Sequence, residues 1–216
     1  NNKDYVSFIE LFDYENNKNI KIELDKSLSL KDNANKFYKL YDKAKISAEK
    51  SQELKNELDQ EKEYLEQVIY SIESASTLDD FAQIKDELGL LEKTSKTYKK
   101  KVKVEPEKVN VNGFSVFIGK NNRQNDYIVS KLSNDNDFWF HTRLCAGSHV
   151  LLRNEAGKEP DEKTLYECAR LAKLHSKASE SSKVSVIFTR RKFLKKPPAA
   201  NLGYVTYKNE KEIIVD

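Results

Sequence analysis

The sequence contains no methionine, a single tryptophan and only two cysteines, Cys145 and Cys168. Two cysteines in 216 residues cannot form a disulfide-rich scaffold, so a reducing compartment is favoured and we expect a cytoplasmic protein. Both cysteines are expected to be small buried thiols. Because even an initiator methionine is missing, we expect the chain to be a fragment of a longer protein.

Long apolar runs are also missing. No stretch approaches the roughly 18–20 apolar residues that a membrane span requires, and no signal peptide opens the chain, so no membrane partner is expected. The net charge is only +3 and says little about partners. The basic residues are nevertheless clustered, with five lysines at 96–103 and five lysines or arginines at 189–196. Such clusters can bind polyanions, although many are simply solvated surface.

Proline and glycine are absent from residues 32–74, so nothing interrupts a helix there. The preceding residues, 4–24, predict strands around the turn ENNKN, and Asp32 or Asn33 is the expected helix N-cap. From Phe37 to Ile72, eight of eleven positions spaced by three and four are apolar. This spacing predicts a coiled-coil seam about 60 Å long.

A seam of that length needs a partner helix. Residues 76–93 predict a short helix that covers only the nearer end of the seam, with these residues facing inward: Leu78, Phe81, Ile84, Leu88 and Leu91. We expect the remainder to be covered by a preceding helix of the intact protein. For the chain alone we expect self-association as an antiparallel dimer, through Leu54, Leu58, Leu65 and Val68.

The second half of the chain changes pattern after a basic linker at 94–108. We predict strands at 111–119, 137–141 and 148–153, helices at 121–133 and 161–179, and closing strands in VSVIFT, GYVTY and EIIVD. The predicted fold class is therefore α+β, with a long coiled-coil helix followed by a compact mixed domain. The predicted division is 1–108 for the tip strands, coiled coil and linker, and 109–216 for the compact domain.

Residues 137–153, DFWFHTRLCAGSHVLLR, contain the residue types of a catalytic or metal site. Ser148, His149 and Asp137 could form a nucleophilic triad, but adjacent residues on a strand point to opposite faces and no Gly-x-Ser-x-Gly elbow is present. His141, Cys145 and His149 would align on a helix, yet the segment favours strands, so we expect them not to converge on zinc. We therefore predict no catalytic residue, no metal and no cofactor, and expect Trp139 or Phe140, or both, to be core.

Basic and amide side chains in this half predict a nucleic-acid surface, with RNA preferred because no helix-turn-helix or zinc finger is present. From the residues alone, a protein-binding face is an equally good interpretation. One group lies at a strand-to-helix junction, where a helix N-terminus favours phosphate, and comprises Lys120, Asn121, Asn122 and Arg123. A second group alternates along two strands and comprises His141, Arg143, His149 and Arg153. The third is the basic cluster of Arg190, Arg191, Lys192, Lys195 and Lys196.

Four sequence motifs resemble the NFACT-R domain of the family that includes bacterial RqcH and eukaryotic NEMF. They are GKNNRQND at 119–126, DFWFH at 137–141, GSHV at 147–150, and KKP followed downstream by GYVTY. IELDKSLSLKDNANKFYKLYDKAK resembles the start of that family's middle coiled coil. One departure is Ala146, where family members usually have proline. The resemblance assigns a scaffold role to its motif residues Gly119, Asn125, Asp126, Asp137, Trp139, Gly147 and Ser148.

The resemblance implies a role in ribosome-associated quality control, without catalysis by this chain. Members of the family bind a large ribosomal subunit that carries an obstructed nascent chain, and they recruit tRNA for untemplated, alanine tailing. The expected partners are thus ribosomal RNA and tRNA, and the expected arrangement has histidine and arginine presented on the surface around a Trp139 scaffold. Older naming of bacterial members as fibronectin-binding proteins leaves one alternative, a surface adhesin.

Overall fold

The computed structural model describes residues 6–90, 104–155 and 158–216. It divides into two compact units between Asp59 and Gln60. The predicted domain boundary at 108/109 stays a prediction. The predicted lysine cluster at 96–103 lies outside the described residues. The α+β fold class is confirmed, with a long helix followed by a sheet-rich region.

The first unit contains a two-stranded antiparallel hairpin of β1 (Phe8–Asp13) and β2 (Lys18–Glu23), as predicted. Its turn forms because the Asp13 carboxylate accepts hydrogen bonds from the backbone N–H of Glu15 and Asn16, at 3.0 and 3.2 Å. This is the usual way in which an aspartate initiates a turn.

Helix α1 (Leu30–Ser74) is continuous, as the absence of proline and glycine predicts. The prediction of its cap was wrong, because Ser29 is the residue whose hydroxyl accepts the Asp32 N–H, at 3.2 Å. Asn33 is instead buried, and its Oδ1 accepts the Asp25 N–H at 2.8 Å, which fastens the preceding loop to the helix.

The seam of α1 is exposed over most of its length. Leu54, Leu58 and Leu65 are each about half exposed, and no described residue covers them. Val68 is different, since only 6% of its surface is exposed. It is therefore unavailable for the predicted dimer contact, and that part of the prediction was wrong.

The second unit is built on a six-stranded antiparallel sheet, in the order β10-β7-β5-β6-β4-β3. Its strands are β3 (Glu107–Val111), β4 (Phe114–Ile118), β5 (Phe138–Thr142), β6 (Val150–Leu152), β7 (Val184–Arg190) and β10 (Lys211–Val215). A separate ribbon joins β8 (Leu194–Lys195) and β9 (Thr206–Tyr207). The start of β3 was wrongly taken as linker, and GYVTY supplies only the two residues of β9.

The sheet buries an apolar layer on each face. Helix α4 (Glu162–Leu174) covers one face, where Phe138, Phe140 and Val150 lie in the core. Helix α3 (Asn122–Tyr127) leads into a π-helical turn at Ile128–Leu132, and that turn packs with Trp139, Leu151 and Leu194 on the other face. Strand alternation thus places Trp139 and Phe140 in different layers, both buried, as predicted.

Helix α2 (Leu78–Glu87) begins at a capping box formed by Thr77 and Asp80. The predicted inward face was largely wrong, because Ile84 is 4% exposed whereas Leu78 is 89% and Phe81 43% exposed. Leu88 is also exposed, and Leu91 lies outside the described residues. None of the helices in the described ranges is both long and apolar enough to cross a membrane.

Candidate nucleic-acid interface

Asp137 lies immediately before β5 and its side chain has no exposed surface. Its two oxygens accept the backbone N–H of Asn134 and of Asn154, both at 2.8 Å. Arg153 Nε lies 3.2 Å from the same carboxylate. Asp137 therefore neutralises Arg153 inside the domain, and neither residue forms part of a triad.

Two histidines and Trp139 form one aromatic cluster. His141 stacks on Trp139 with centroids 5.8 Å apart, and His149 meets Trp139 edge-on at 5.2 Å. The two imidazole centroids lie 5.3 Å from each other, and the prediction that they do not converge with Cys145 on zinc stays a prediction. Within the described ranges, no group of three metal-ligating side chains forms.

Both histidines are held neutral by their surroundings. Burial lowers the pKa of His141, whose Nδ1–H donates to the Thr142 carbonyl at 2.7 Å. Burial, and then repulsion from His141, place the pKa of His149 well below its usual value. His149 is packed beneath the surface, contrary to the predicted arrangement, whereas His141 keeps part of its surface exposed and its lowered pKa favours the neutral form.

Asn125 joins three of the motif segments. Its Oδ1 accepts the His149 N–H at 3.0 Å and its Nδ2 donates to the Gly147 carbonyl at 3.4 Å. Gly119 N–H donates to the His149 carbonyl at 3.0 Å, and a Cβ on Gly119 would overlap Asn125. Glycine is thus required where the three segments approach each other, which explains their scaffold role. Ser148 is buried beside them.

Gln67, near the end of α1, makes a contact that the sequence did not predict. Its side-chain amide makes two hydrogen bonds to the Gly147 backbone, each 2.9 Å long. The C-terminal turns of α1 therefore belong to the same packed unit as the motif residues. A glutamine on a polar helix, 80 positions from its partner, carries no local signal of such a role.

The predicted donor loop at 120–123 is occupied by other parts of the chain. Lys120 pairs with Glu107 at 2.9 Å, and Arg123 pairs with Asp86. Asn121 and Asn122 are both 1% exposed. Their amides donate to the following side chains of α2: Gln83 at 3.0 Å and Glu87 at 2.8 Å. The loop does not face solvent as a free phosphate site.

The other predicted cations fall into two groups. One group is neutralised by carboxylates, and its pairs are Arg143 with Glu210 and Glu212, Arg153 with Asp137, Arg190 with Glu159, and Lys196 with Asp126. The other group, Arg191, Lys192 and Lys195, forms no ion pair with any described carboxylate. Lys192 and Lys195 are exposed and keep their full positive charge at the surface, whereas Arg191 is half-buried and its Nε donates to the Val129 carbonyl and the Ser133 hydroxyl.

These three residues lie together with a fourth cation that sequence reasoning missed. Lys208 is exposed, and its backbone N–H donates to the Phe193 carbonyl at 3.2 Å. Lys192 Nζ lies 5.2 Å from the Phe193 ring centroid. We call Arg191, Lys192, Lys195 and Lys208 the basic patch. It combines uncompensated charge with a half-buried aromatic ring, a combination suited to phosphates and bases.

Two family models match the chain. Residues 98–209 match the NFACT protein RNA binding domain, and residues 3–104 match the NFACT N-terminal and middle domains. The chain belongs to the NFACT family. The basic patch and the Asp137, Trp139 and Gly147 segments all lie within the match to the RNA-binding domain.

Similar proteins of this family include two Rqc2 homologs RqcH. The one from Bacillus subtilis is 36% identical over 203 residues, which cover 91% of this chain and 35% of the relative. The one from Streptococcus suis is 31% identical over 213 residues, covering 97% of this chain and 38% of the relative. The chain thus spans little more than a third of these relatives' length.

A solved structure has the same fold. It is the C-terminal part of the fibronectin/fibrinogen-binding protein from Streptococcus suis, with a TM-score of 0.72 and 31% identity. The likeness covers 87% of this chain and 76% of that one. The fold is therefore shared with this relative over most of the chain.

Proposed function

We propose that this chain contributes RNA binding to ribosome-associated quality control, as a contact with ribosomal RNA and tRNA on obstructed large ribosomal subunits. In this role it supports untemplated alanine tailing of the stalled nascent chain, performs no catalysis itself and acts in the cytoplasm. The observation that carries the proposal is the basic patch, which lies inside the match to the NFACT RNA-binding domain. The RqcH relatives support the choice of ribosomal partner.

The patch is suited to RNA because its charges are not neutralised within the chain. Each phosphate contacted by a lysine or arginine releases counterions, so binding weakens as salt rises. Paired residues such as Arg143 and Arg190 would first have to leave their carboxylates. We therefore assign the main contact to the patch and a smaller share to the paired cations.

A charge-reversal experiment tests this assignment. Lys192→Glu with Lys195→Glu should weaken binding to large ribosomal subunits and to tRNA by about ten-fold or more at low salt. The slope of log affinity against log salt should fall by roughly two, since about one unit is lost per phosphate contact. Sedimentation with subunits and filter binding of tRNA measure both quantities.

The matched control reverses two exposed lysines away from the patch, one within α4 and the other three residues after its end. Lys163→Glu with Lys177→Glu makes the same change in net charge and should leave affinity within about two-fold. Equal losses of affinity in both variants would show that only net charge matters. Unchanged affinity of the Lys192→Glu, Lys195→Glu variant would show that the basic patch does not contact RNA. Binding to immobilised fibronectin, with no binding to ribosomal subunits, would favour the adhesin alternative suggested by the name of the solved relative.

A further inference from the structure

Helix α2 is docked in an unusual way, through its polar residues. Its buried residues are Asp80, Gln83 and Ile84, whereas Leu78 and Phe81 remain exposed. A helix held mainly by hydrogen bonds, with little apolar burial, belongs to the least stable elements of a fold and opens readily. Detachment of α2 therefore costs less than detachment of an element of the sheet core.

The surface that α2 occupies comprises residues 121–123 of the donor loop and the adjacent Gln124. Gln83 Oε1 accepts from the amides of Asn121 and Gln124, at 3.0 and 3.3 Å. Glu87 Oε1 accepts from Asn122 at 2.8 Å, and Asp86 pairs with Arg123. Two of the acceptors are carboxylates, and they take the positions that phosphate oxygens would take on the same donors.

The environment of Glu87 shows that docking of α2 is opposed by desolvation of a carboxyl group. Burial raises the pKa of this carboxyl, while hydrogen bonds from Asn122 and Tyr64 and the charge of Arg123 oppose the rise. Arg123 Nε is buried without a hydrogen-bond partner in the described part of the chain. The contact thus leaves a partly desolvated carboxylate on α2 and an unused donor on the loop.

The donor loop lies beside the segment that carries the basic patch. A Cβ placed on Gly203 would lie 3.2 Å from Asn122 Oδ1, and Lys196 pairs with Asp126 in the following turn of α3. An RNA strand bound at Lys195 therefore needs to extend only a short distance to reach Asn122 and Arg123.

We propose that α2 is an acidic cover that occupies the donor loop until RNA phosphate displaces it. This inference rests on the proposed function, because the competing ligand is the RNA held at the basic patch. With α2 released, Asn122 and Arg123 become a second RNA contact beside the patch. Affinity is thereby reduced in proportion to the fraction of molecules in which α2 is docked.

Removing one charge from the contact between α2 and the donor loop tests whether α2 acts as a cover. Asp86→Asn should raise affinity for large ribosomal subunits by about ten-fold, the usual effect of losing one charge-assisted hydrogen bond, and should steepen the salt slope by about one unit. Asp79→Asn is the matched control, because it removes the same charge from an exposed position of the same helix. It should change affinity by no more than about two-fold.

Two further measurements separate displacement from a general charge effect. The gain from Asp86→Asn should vanish in an Arg123→Ala background, and hydrogen exchange of the amides at 78–87 should become faster when RNA binds. Slower exchange with RNA, or equal affinities for the two asparagine variants, would overturn the cover while leaving RNA binding at the patch intact. Absence of RNA binding by the unmodified chain would overturn the proposed function, and the cover with it.

Discussion

At the residue scale, the buried polar side chains act mainly by satisfying one another. Asp137 and Asn125 each bind backbone groups from segments that are distant along the chain. His141 and His149 are neutral ring partners of Trp139. The residues that define the family motifs therefore shape the domain, while the charge available to a ligand comes from Lys192, Lys195 and their neighbours.

Asp137 should be among the residues most sensitive to substitution. Asp137→Ala removes the acceptor of two backbone N–H groups and leaves Arg153 without its partner. We expect a loss of about 3–5 kcal/mol in the free energy of unfolding, as for a broken buried ion pair. Urea denaturation of the purified chain measures this loss.

Asp161→Ala provides the comparison for Asp137→Ala. Asp161 is an exposed N-cap that accepts the Thr164 N–H at 2.8 Å, so its removal should cost only about 1 kcal/mol. Similar losses for the two alanine variants would contradict the structural role assigned to Asp137.

The histidine cluster should make the domain less stable in mild acid. The pKa values of His141 and His149 are lowered in the folded state, so near and below pH 6.5 the unfolded chain binds more protons than the folded chain. The free energy of unfolding should therefore decrease as pH falls from 7.5 to 5.5. The maximum slope is about 1.4 kcal/mol per pH unit for each histidine that stays neutral.

Urea midpoints at several pH values check this expectation. Glu87, whose raised pKa acts in the opposite direction, should reduce the slope without reversing it, because two imidazoles with lowered pKa oppose one carboxyl. His149→Gln should flatten the profile more than His175→Gln, since the pKa of half-buried His175 is lowered less. Stability that rises between pH 7.5 and 5.5 would rule out neutral histidines in the fold.

At the element scale, a sequence pattern predicted an element more reliably when the pattern was long. The absence of proline and glycine from 32–74 correctly predicted an uninterrupted α1, although the predicted N-cap was wrong. Ten-residue α2 was predicted as a helix, but its inward face was not, because hydrogen bonds from Asn121 and Asn122 outweighed its apolar periodicity. Strand β3 was not predicted because its sequence, EKVNV, contains only two apolar residues and resembles the preceding linker.

At the scale of the whole molecule, the exposed seam of α1 predicts self-association of this 216-residue chain. Leu54, Leu58 and Leu65 expose an apolar stripe that a second copy can cover in antiparallel orientation. Leu58→Glu with Leu65→Glu should give a monomer at tens of micromolar and leave the six-stranded sheet folded. Light scattering and circular dichroism measure the two properties.

Ile46→Glu is the control for this oligomer prediction. Ile46 is about as exposed as Leu58 but lies outside the three-four spacing of the seam, so its substitution should leave the dimer intact. An unmodified chain that is monomeric, with α1 helical, would contradict the dimer. The seam would then need a partner other than a second copy of this chain.

The sequence by itself determined the features that depend on near neighbours: the uninterrupted course of α1, the hairpin turn and the order of the family motifs. These follow from local backbone preferences, which a few adjacent residues decide. Only the tertiary structure decided which cations are free and which histidines are buried. Lys196 finds Asp126 and Arg190 finds Glu159 across the fold, and such pairing depends on distances that linear spacing does not contain.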